Sequence, residues 1–169
     1  MDRTRFYITS SFYELLKRKS FKSITIQDIC LESKIHRSTF YRYYQDKYEL
    51  MSDVIQIIKK EFEHQMINNH DNIYDIIVDY IVDSEKLFEH ILDDNELFTD
   101  IVVIIRNLIV AEPSSKRLIT KKIEKVPDPT LLIDFYSSGI VYILKQWVTK
   151  KYAYSKEQLK QLIRELILE

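Results

Sequence analysis

A short run of polar and basic residues carries the clearest chemistry in this chain of 169 residues. His36, Arg37 and Ser38 stand together, and Arg42 follows about one helical turn later. Donors of these types at the amino end of a helix can bond base edges in a DNA major groove, and a guanidinium can pair with guanine through two atoms. We therefore predict that these four residues read base pairs; a merely solvated surface arginine is the alternative for Arg37.

The residues before this run have the features of a short helix. Thr25 suits an N-cap, and Asp28, three residues later, completes an acidic variant of the capping box. Ile24 and Ile29 occupy the positions of a hydrophobic staple across the same helix start. The segment therefore predicts a second helix after the one that carries the apolar stripe at Ile8, Phe12, Leu15 and Leu16.

A third helix is expected from about Arg37 to Tyr44. Phe40 and Tyr44 are four residues apart and share one face, so we expect both to point inward. Ser38 and Arg42 must then point away from the core. Two short helices around a tight turn, with a polar face held outward, are typical of a helix-turn-helix that enters the major groove.

The rest of the chain predicts an all-α fold. The sequence holds 1 Gly and 3 Pro, too few breakers for sheets with tight turns. Asp46 can cap a fourth helix that runs to about Asn69, and Ser155 with Gln158 forms a capping box for the last one. Further helices are expected at about 71–92, 95–110, 114–125, 129–151 and 155–168. We predict about nine helices in two parts: a three-helix helix-turn-helix head at 1–47 and a larger helical body for dimerisation and effector binding at 48–169.

Charge and composition narrow the function classes. Residues 1–50 hold 10 Lys/Arg and 6 Asp/Glu, a net +4, whereas residues 51–169 carry a net −5. A basic head on an acidic body directs the head towards a polyanion such as double-stranded DNA. One cysteine, Cys30, favours a reducing cytoplasm, and we expect no secretory signal or membrane span. We find no phosphate loop, nucleophile elbow or metal-ligand spacing, and expect neither catalysis nor a cofactor or metal.

These motifs resemble the TetR family of bacterial transcriptional regulators over roughly residues 6 to 50. The resemblance centres on Ile35-His36-Arg37-Ser38-Thr39-Phe40-Tyr41-Arg42-Tyr43-Tyr44 with Lys47 and Leu50. A looser likeness to one C-terminal subtype covers Phe135 to Trp147 and Tyr154-Ser155. The resemblance implies a DNA-binding regulator, more commonly a repressor, and implies phosphate contacts from Thr25, Thr39, Tyr41, Tyr43 and Lys47.

Two positions depart from the family pattern. The family usually has Gly in the turn where Lys34 stands, so Lys34 is expected to take a positive φ at some cost. The family also tends to have Ser or Thr at the position of His36, which starts the third helix. This helix is the recognition helix, the one expected to enter the major groove. His is a poorer cap, but its ring can donate to a phosphate or a base edge.

Lys47 also carries a physical argument of its own. It lies in the first turn of the fourth helix, where a positive charge opposes the helix dipole. A DNA phosphate at that helix end would resolve the conflict. We therefore predict a phosphate contact, with chance placement as the alternative.

The helix at 129–151 is apolar nearly all round, so both of its sides must be covered. The expected cover is the same helix and its C-terminal neighbour from a second subunit, and the resemblance implies the same four-helix interface. Gly139 in mid-helix would permit close backbone approach. The predicted interface residues are Tyr136, Gly139, Ile140, Ile143, Trp147, Leu159, Leu162 and Leu166.

A homodimer would read a palindromic operator with half-sites about one helical turn apart or somewhat more. The resemblance implies release by a small molecule in the body, yet no charged cluster names its class. Aromatic residues that could line a pocket or simply form core are Tyr74, Tyr80, Phe88, Phe98, Tyr136 and Trp147. Two alternatives stay open: a regulator that acts through a protein partner, and a helical adaptor that does not bind DNA.

Overall fold

The computed structural model describes residues 2–68, 73–111 and 126–168, and every regular element within these ranges is helical. It contains nine α-helices there, together with one short 3-10 helix at Phe21–Ser23. The α-helices are α1 Arg3–Leu16, α2 Ile26–Glu32, α3 Arg37–Tyr43, α4 Lys47–Asn68, α5 Ile73–Asp83, α6 Glu85–Ile91, α7 Asn95–Ala111, α8 Pro129–Val148 and α9 Lys156–Leu168. The all-α prediction is confirmed.

The first three helices form a small head around aromatic side chains. Phe12 of α1, Phe21 of the 3-10 helix and Phe40 of α3 are all fully buried. α1 packs on α2, and α2 packs on α3. α4 then contacts both α1 and the body helices α5 and α7, so one 22-residue helix joins the two parts of the chain.

The predicted helix starts are confirmed in atomic detail. Thr25 Oγ1 accepts from the Asp28 amide, and the Asp28 carboxylate accepts from the Thr25 amide at 2.8 Å. Asp46 Oδ1 accepts from the Tyr48 and Glu49 amides at 2.8 and 2.9 Å. Each side chain satisfies amides that a helix start leaves without a partner.

The turn between α2 and α3 is a Schellman motif centred on Lys34. The Ile35 amide donates to the Cys30 carbonyl at 3.0 Å, and the Lys34 amide donates to the Leu31 carbonyl at 3.3 Å. This pairing requires a left-handed residue at Lys34, whose φ is 54°. The positive φ expected from the sequence is therefore confirmed, and a residue with a Cβ occupies a position that glycine adopts without strain.

In the body, α8 packs against α7 and α6, and α9 packs against α5. The single helix expected at 71–92 is wrong, because the chain leaves helical geometry at Ser84, with φ −108° and ψ 29°. No Gly or Pro marks this break in the sequence. The helix expected at 114–125 lies outside the described residues. None of the helices in the described ranges is long and apolar enough to cross a membrane.

A ladder of ion pairs holds α9 against α5. Three acids spaced by four residues on α5 face three bases spaced by four residues on α9, in antiparallel order. The pairs are Asp75–Arg164 at 3.0 Å, Asp79–Lys160 at 2.6 Å and Asp83–Lys156 at 2.9 Å. Leu159 and Ile163 are buried along the same helix. The ladder thus sets the register of α9 against α5. Ile163 and Leu166 of α9 also border an apolar hollow beside α8.

The left-handed turn at Lys34 yields a stability prediction. Lys34→Gly should raise the free energy of unfolding by about 1 kcal/mol, because glycine removes the Cβ clash at positive φ. Urea unfolding followed by circular dichroism measures the change. Lys34→Ala is the matched control: it removes the same charge but keeps the Cβ, so it should bring no gain. Equal stabilisation by both variants would show that the charge, not the backbone, is responsible.

Candidate nucleic-acid interface

Burial of two aromatic anchors orients α3. A seven-residue helix is too short to be stable alone in water, so its packing must hold it. Phe40 is 0% exposed and Tyr44, the C-cap, is 1% exposed. With these anchors inside, the predicted base-reading side chains all lie on the surface: His36, Arg37, Ser38 and Arg42.

The amino end of α3 is open. His36 is the N-cap, but its side chain makes no capping hydrogen bond. Arg37 is partly ordered by Tyr41 one turn later: its Nη2 donates to Tyr41 Oη at 3.3 Å, and the guanidinium carbon lies 5.9 Å from the ring centre. Arg42 lies 5.6 Å from the Tyr43 ring centre in the same way. The helix therefore presents two arginines supported by tyrosines next to an uncapped amino end.

A polar network ties the carboxyl end of α3 to α1 and α4. Tyr44 Oη donates to Asp53 Oδ2 at 2.6 Å, and Arg5 donates to both Asp53 oxygens at 2.8 and 2.9 Å. Thr9 Oγ1 lies 3.1 Å from Tyr44 Oη. Burial, followed by the hydrogen bond to Asp53, raises the pKa of Tyr44 to about 12. Burial works to raise the pKa of Asp53, but the hydrogen bonds from Arg5 and Tyr44 outweigh it and hold that pKa below its ordinary value.

Four of the residues with predicted phosphate contacts lie at the head surface in different states. Tyr41 is 49% exposed. Tyr43 is half-buried and its hydroxyl donates to Asp2 Oδ2 at 2.6 Å, which joins α3 to the cap of α1. Thr25 uses its hydroxyl within the capping box, and Thr39 is half-buried.

The structure gives the fifth residue, Lys47, a different role. Its Nζ donates to the carbonyls of Phe21 at 2.8 Å, Ile24 at 3.0 Å and Lys22 at 3.3 Å, and lies 4.5 Å from the Phe21 ring centre. Burial lowers the pKa of Lys47. The argument that this charge needs a phosphate is therefore wrong, because three carbonyl dipoles already occupy the three donors of the ammonium. Lys47 fastens the segment between α1 and α2 to the start of α4.

The predicted interface residues divide into a surface group and a core group. Tyr136, Gly139 and Ile143 of α8 are partly exposed, and Leu166 of α9 is 51% exposed. Together with Phe135, Ile140 and Ile163 they line a shallow apolar hollow of about 150 Å³. Leu162 is half-buried, and Trp147 is nearly buried, with Nε1 donating to the Tyr154 carbonyl at 2.7 Å.

Leu159 is a correction to the predicted interface. Its side chain is 0% exposed inside one protomer, where α9 meets α5, so it has no surface to offer a second subunit. Three other side chains of α8 are large, apolar and exposed but were not among the predicted interface residues: Leu131, Phe135 and Tyr142. Their i, i+4, i+11 spacing could have identified them, because it places all three on one side of the helix.

The aromatic residues that the sequence analysis assigned to either a pocket or the core fall into two groups. Tyr74 and Phe88 are core. Tyr80 packs its ring on Phe62 and turns its hydroxyl to Glu61 beside a surface cleft. No group of three His, Cys, Asp or Glu side chains in the described ranges could hold a metal ion.

A three-helix head with an outward recognition helix on a helical body defines the helix-turn-helix class of DNA-binding proteins. Residues 8–54 match the family described as bacterial regulatory proteins, tetR family. Residues 68–169 match a family described as transcriptional regulator C-terminal region, which is assigned to the same class of regulators. The chain belongs to the TetR family of DNA-binding transcriptional regulators.

Individual relatives agree with this assignment. The HTH-type dhaKLM operon transcriptional activator DhaS of Lactococcus lactis is 28% identical over 102 residues, covering 60% of this chain and 50% of that protein. The alignment thus spans about half the length of that relative. A TetR-family regulator from Syntrophomonas wolfei has a TM-score of 0.68 at 16% identity, over 96% of this chain and 92% of that one. The fatty acid degradation regulator FadR from Bacillus halodurans has a TM-score of 0.68 at 15% identity, over 99% and 96%. Because both identities are low, these two structures establish only that the fold is shared.

The carbonyl contacts of Lys47 predict a structural phenotype. Lys47→Met keeps the aliphatic stem but removes the ammonium, and should lower the free energy of unfolding by about 1 to 2 kcal/mol. The slope of DNA affinity against salt concentration should not change, because no phosphate contact is lost. Lys60→Met, an exposed position of the same helix, is the control and should leave stability near that of the wild type. If Lys47→Met instead reduced the salt slope of DNA affinity by about one, Lys47 would be shown to contact a phosphate.

The lowered pKa of Asp53 predicts how the stability of the head depends on pH. A carboxyl whose pKa is lower in the folded state stabilises the fold above its unfolded pKa of about 3.9, and this stabilisation is lost as pH falls through the folded pKa. Asp53→Asn should therefore cost about 1 to 2 kcal/mol at pH 7, and the difference from the wild type should shrink as pH falls below about 4. Urea unfolding of the wild type and Asp53→Asn between pH 7 and pH values below about 4 measures this difference in the free energy of unfolding. A difference that stays constant with pH would exclude a role for the charge.

Proposed function

We propose that the chain acts as a homodimeric repressor that binds a palindromic operator through α3. The observation that carries the proposal is the outward, uncapped amino end of α3, held in place by Phe40 and Tyr44. Arg37 and Arg42 bring charge and multiple donors to that end, and such donors suit guanine edges. His36 and Ser38 complete the proposed base-reading set.

Phosphate contacts are proposed for Thr25, Thr39, Tyr41 and Tyr43, at the positions where the family pattern matches. Hydroxyl donors of this kind fix the register of a protein on the duplex without reading sequence. In the chain without DNA the hydroxyls of Tyr43 and Thr25 donate to Asp2 and Asp28, so their phosphate contacts require these surface hydrogen bonds to exchange. Tyr41 would serve twice, because its hydroxyl also bonds Arg37. Lys47 is left out of this set because its ammonium is bound to carbonyls.

The second subunit is proposed to cover the apolar side of α8 and α9. Leu131 and Phe135 are 70% and 69% exposed, a large apolar area for a protein that stays monomeric. A Cβ added at Gly139 would meet nothing within 4 Å of its own chain, which supports close approach by a partner helix there. Two heads related by a two-fold axis would then read half-sites about one helical turn apart.

The direction of regulation has a second candidate. Repression is the commoner outcome in the family, but DhaS, the relative from Lactococcus lactis, is named as a transcriptional activator. A dimer of the same architecture activates when its DNA-bound form recruits a partner rather than blocking a promoter. Release by a small effector is proposed in either case; control through a protein partner is the alternative.

Operator recognition is tested by fluorescence anisotropy on the DNA upstream of the gene, with salt titration. Arg37→Ala should cost about 1 to 3 kcal/mol on the preferred sequence and relax the preference at one base position, because a base contact is lost. Arg18→Ala is the matched control, since Arg18 lies outside α3 and its guanidinium pairs with Glu32 of α2 at 2.7 Å. Equal loss on all sequences would remove Arg37 from the base-reading set, and no binding to duplex DNA at low salt would overturn the proposal.

Dimerisation is tested by a charge placed on the exposed side of α8. Phe135→Glu should convert the dimer to a folded monomer, because the side chain is solvent-exposed in one protomer and would bury an unpaired charge between two. Phe6→Glu makes the same change on α1 of the head and should leave the dimer intact. Light scattering with circular dichroism measures both. A wild-type monomer, or a Phe135→Glu dimer, would contradict the proposed interface.

A further inference from the structure

A cleft lined by both polar and apolar side chains lies where the head meets the body. Its volume is about 650 Å³, and it is bounded by α1, α4 and α5. A second hollow of about 520 Å³ adjoins it and shares Tyr13 and Ser84. Ser84 is the residue at which helical geometry is interrupted between α5 and α6. This interruption, which the sequence did not predict, lies in the wall of the cleft. The proposed DNA-binding surface makes no use of these side chains.

A carboxylate with two phenol donors lies in the cleft. The Tyr13 hydroxyl donates to Glu61 Oε2 at 3.4 Å, and the Tyr80 hydroxyl donates to the same oxygen. Burial and the nearby carboxylate raise the pKa values of both tyrosines, so both phenols remain protonated donors at neutral pH. Both hydrogen bonds reach Glu61 Oε2, so Oε1 is the carboxylate oxygen offered to a further donor.

The aromatic rings around this carboxylate favour positive charge. Lys17, which lines the second hollow, places its ammonium 4.6 Å from the centre of the Tyr13 ring, so this ring accepts a cation on its face. The Tyr80 ring is fixed between Phe62, at 4.3 Å between centroids, and Phe88, at 5.8 Å. A rigid phenol, an aromatic face and a half-buried carboxylate together form a pre-organised setting for an ammonium group.

We propose that this cleft binds a small organic cation with an ammonium donor, which bonds Glu61 Oε1 while its apolar part lies against Tyr13 and Ile57. Lys60 also lines the cleft, so the preference for a cation comes from the position of Glu61 between two phenols and from the aromatic rings, and not from net charge. An anion that lay against Tyr13 and Ile57 would face the Glu61 carboxylate, and a neutral ligand would not form an ion pair with it.

The cleft spans the joint between the two parts of the chain. Tyr13 belongs to α1 of the head, whereas Glu61 lies in the body half of α4 and Tyr80 in α5. A bound cation would therefore contact both parts and change the orientation of the head on the body. This consequence, unlike binding itself, rests on the proposed DNA-binding function.

Binding is tested on the full chain with benzylamine, which is protonated at neutral pH, as the probe. Backbone amide shifts in two-dimensional NMR locate the site, and calorimetry gives the affinity. We expect saturable binding with shifts around Tyr13, Glu61 and Ser84, and at least about tenfold weaker binding by Glu61→Gln. Glu63→Gln is the matched control, because Glu63 is exposed on the same helix and pairs with Lys59. Benzoate and benzyl alcohol, similar in size but without the positive charge, should not bind.

Three results would overturn the site: no saturable binding of benzylamine, equal binding by Glu61→Gln, or equal binding of benzoate or benzyl alcohol. Operator affinity measured with and without saturating benzylamine tests the coupling separately, and an unchanged affinity would refute it. The NMR titration needs no DNA, so a failure of the proposed function is distinguishable from a failure of the cation site.

Discussion

Burial of Tyr44 at the end of the recognition helix is the interaction on which the site depends. A helix of seven residues gains too few internal hydrogen bonds to offset its nucleation cost, so packing must hold it. Phe40 and Tyr44 anchor its inner face, and the Tyr44 hydroxyl continues into Asp53 and Arg5. One side chain therefore fixes both the tilt of α3 and its attachment to α1 and α4. The outward position of Arg37 and Ser38 is a consequence of that anchor.

Several contacts between the head and the body are polar. Lys22 donates to the Asp93 carbonyl at 2.8 Å, and His90 Nδ1 donates to the Leu16 carbonyl at 2.7 Å. Tyr13 adds its hydrogen bond to Glu61. Polar contacts of this kind can exchange partners with water at a small net change in free energy, whereas a buried apolar seam cannot. The joint therefore combines these polar contacts with buried apolar side chains of the common core.

Sequence reasoning succeeded where the physical cause is local. Thr25 with Asp28, Asp46, and Ser155 with Gln158 were recognised as caps because a cap depends on residues within one turn. The positive φ of Lys34 was expected from the resemblance, because the family usually has Gly at that position of the turn. Sequence reasoning failed at Ser84, because no Gly or Pro marks the interruption of the helix there. It also failed at Leu159, because the sequence of an apolar helix does not show which neighbouring helix covers each residue.

The sequence by itself therefore determined the helical class, the helix starts, and the division of α3 into an inner and an outer face. Each follows from residue type and from periodicity along one segment. Only the tertiary structure decided what each surface group contacts. Lys47 is the clearest case: its position at a helix start suggested an anion, yet the carbonyls that bind it come from residues more than twenty positions away. A charge responds to whatever dipoles the fold brings near it, and the order of residues along the chain does not encode that proximity.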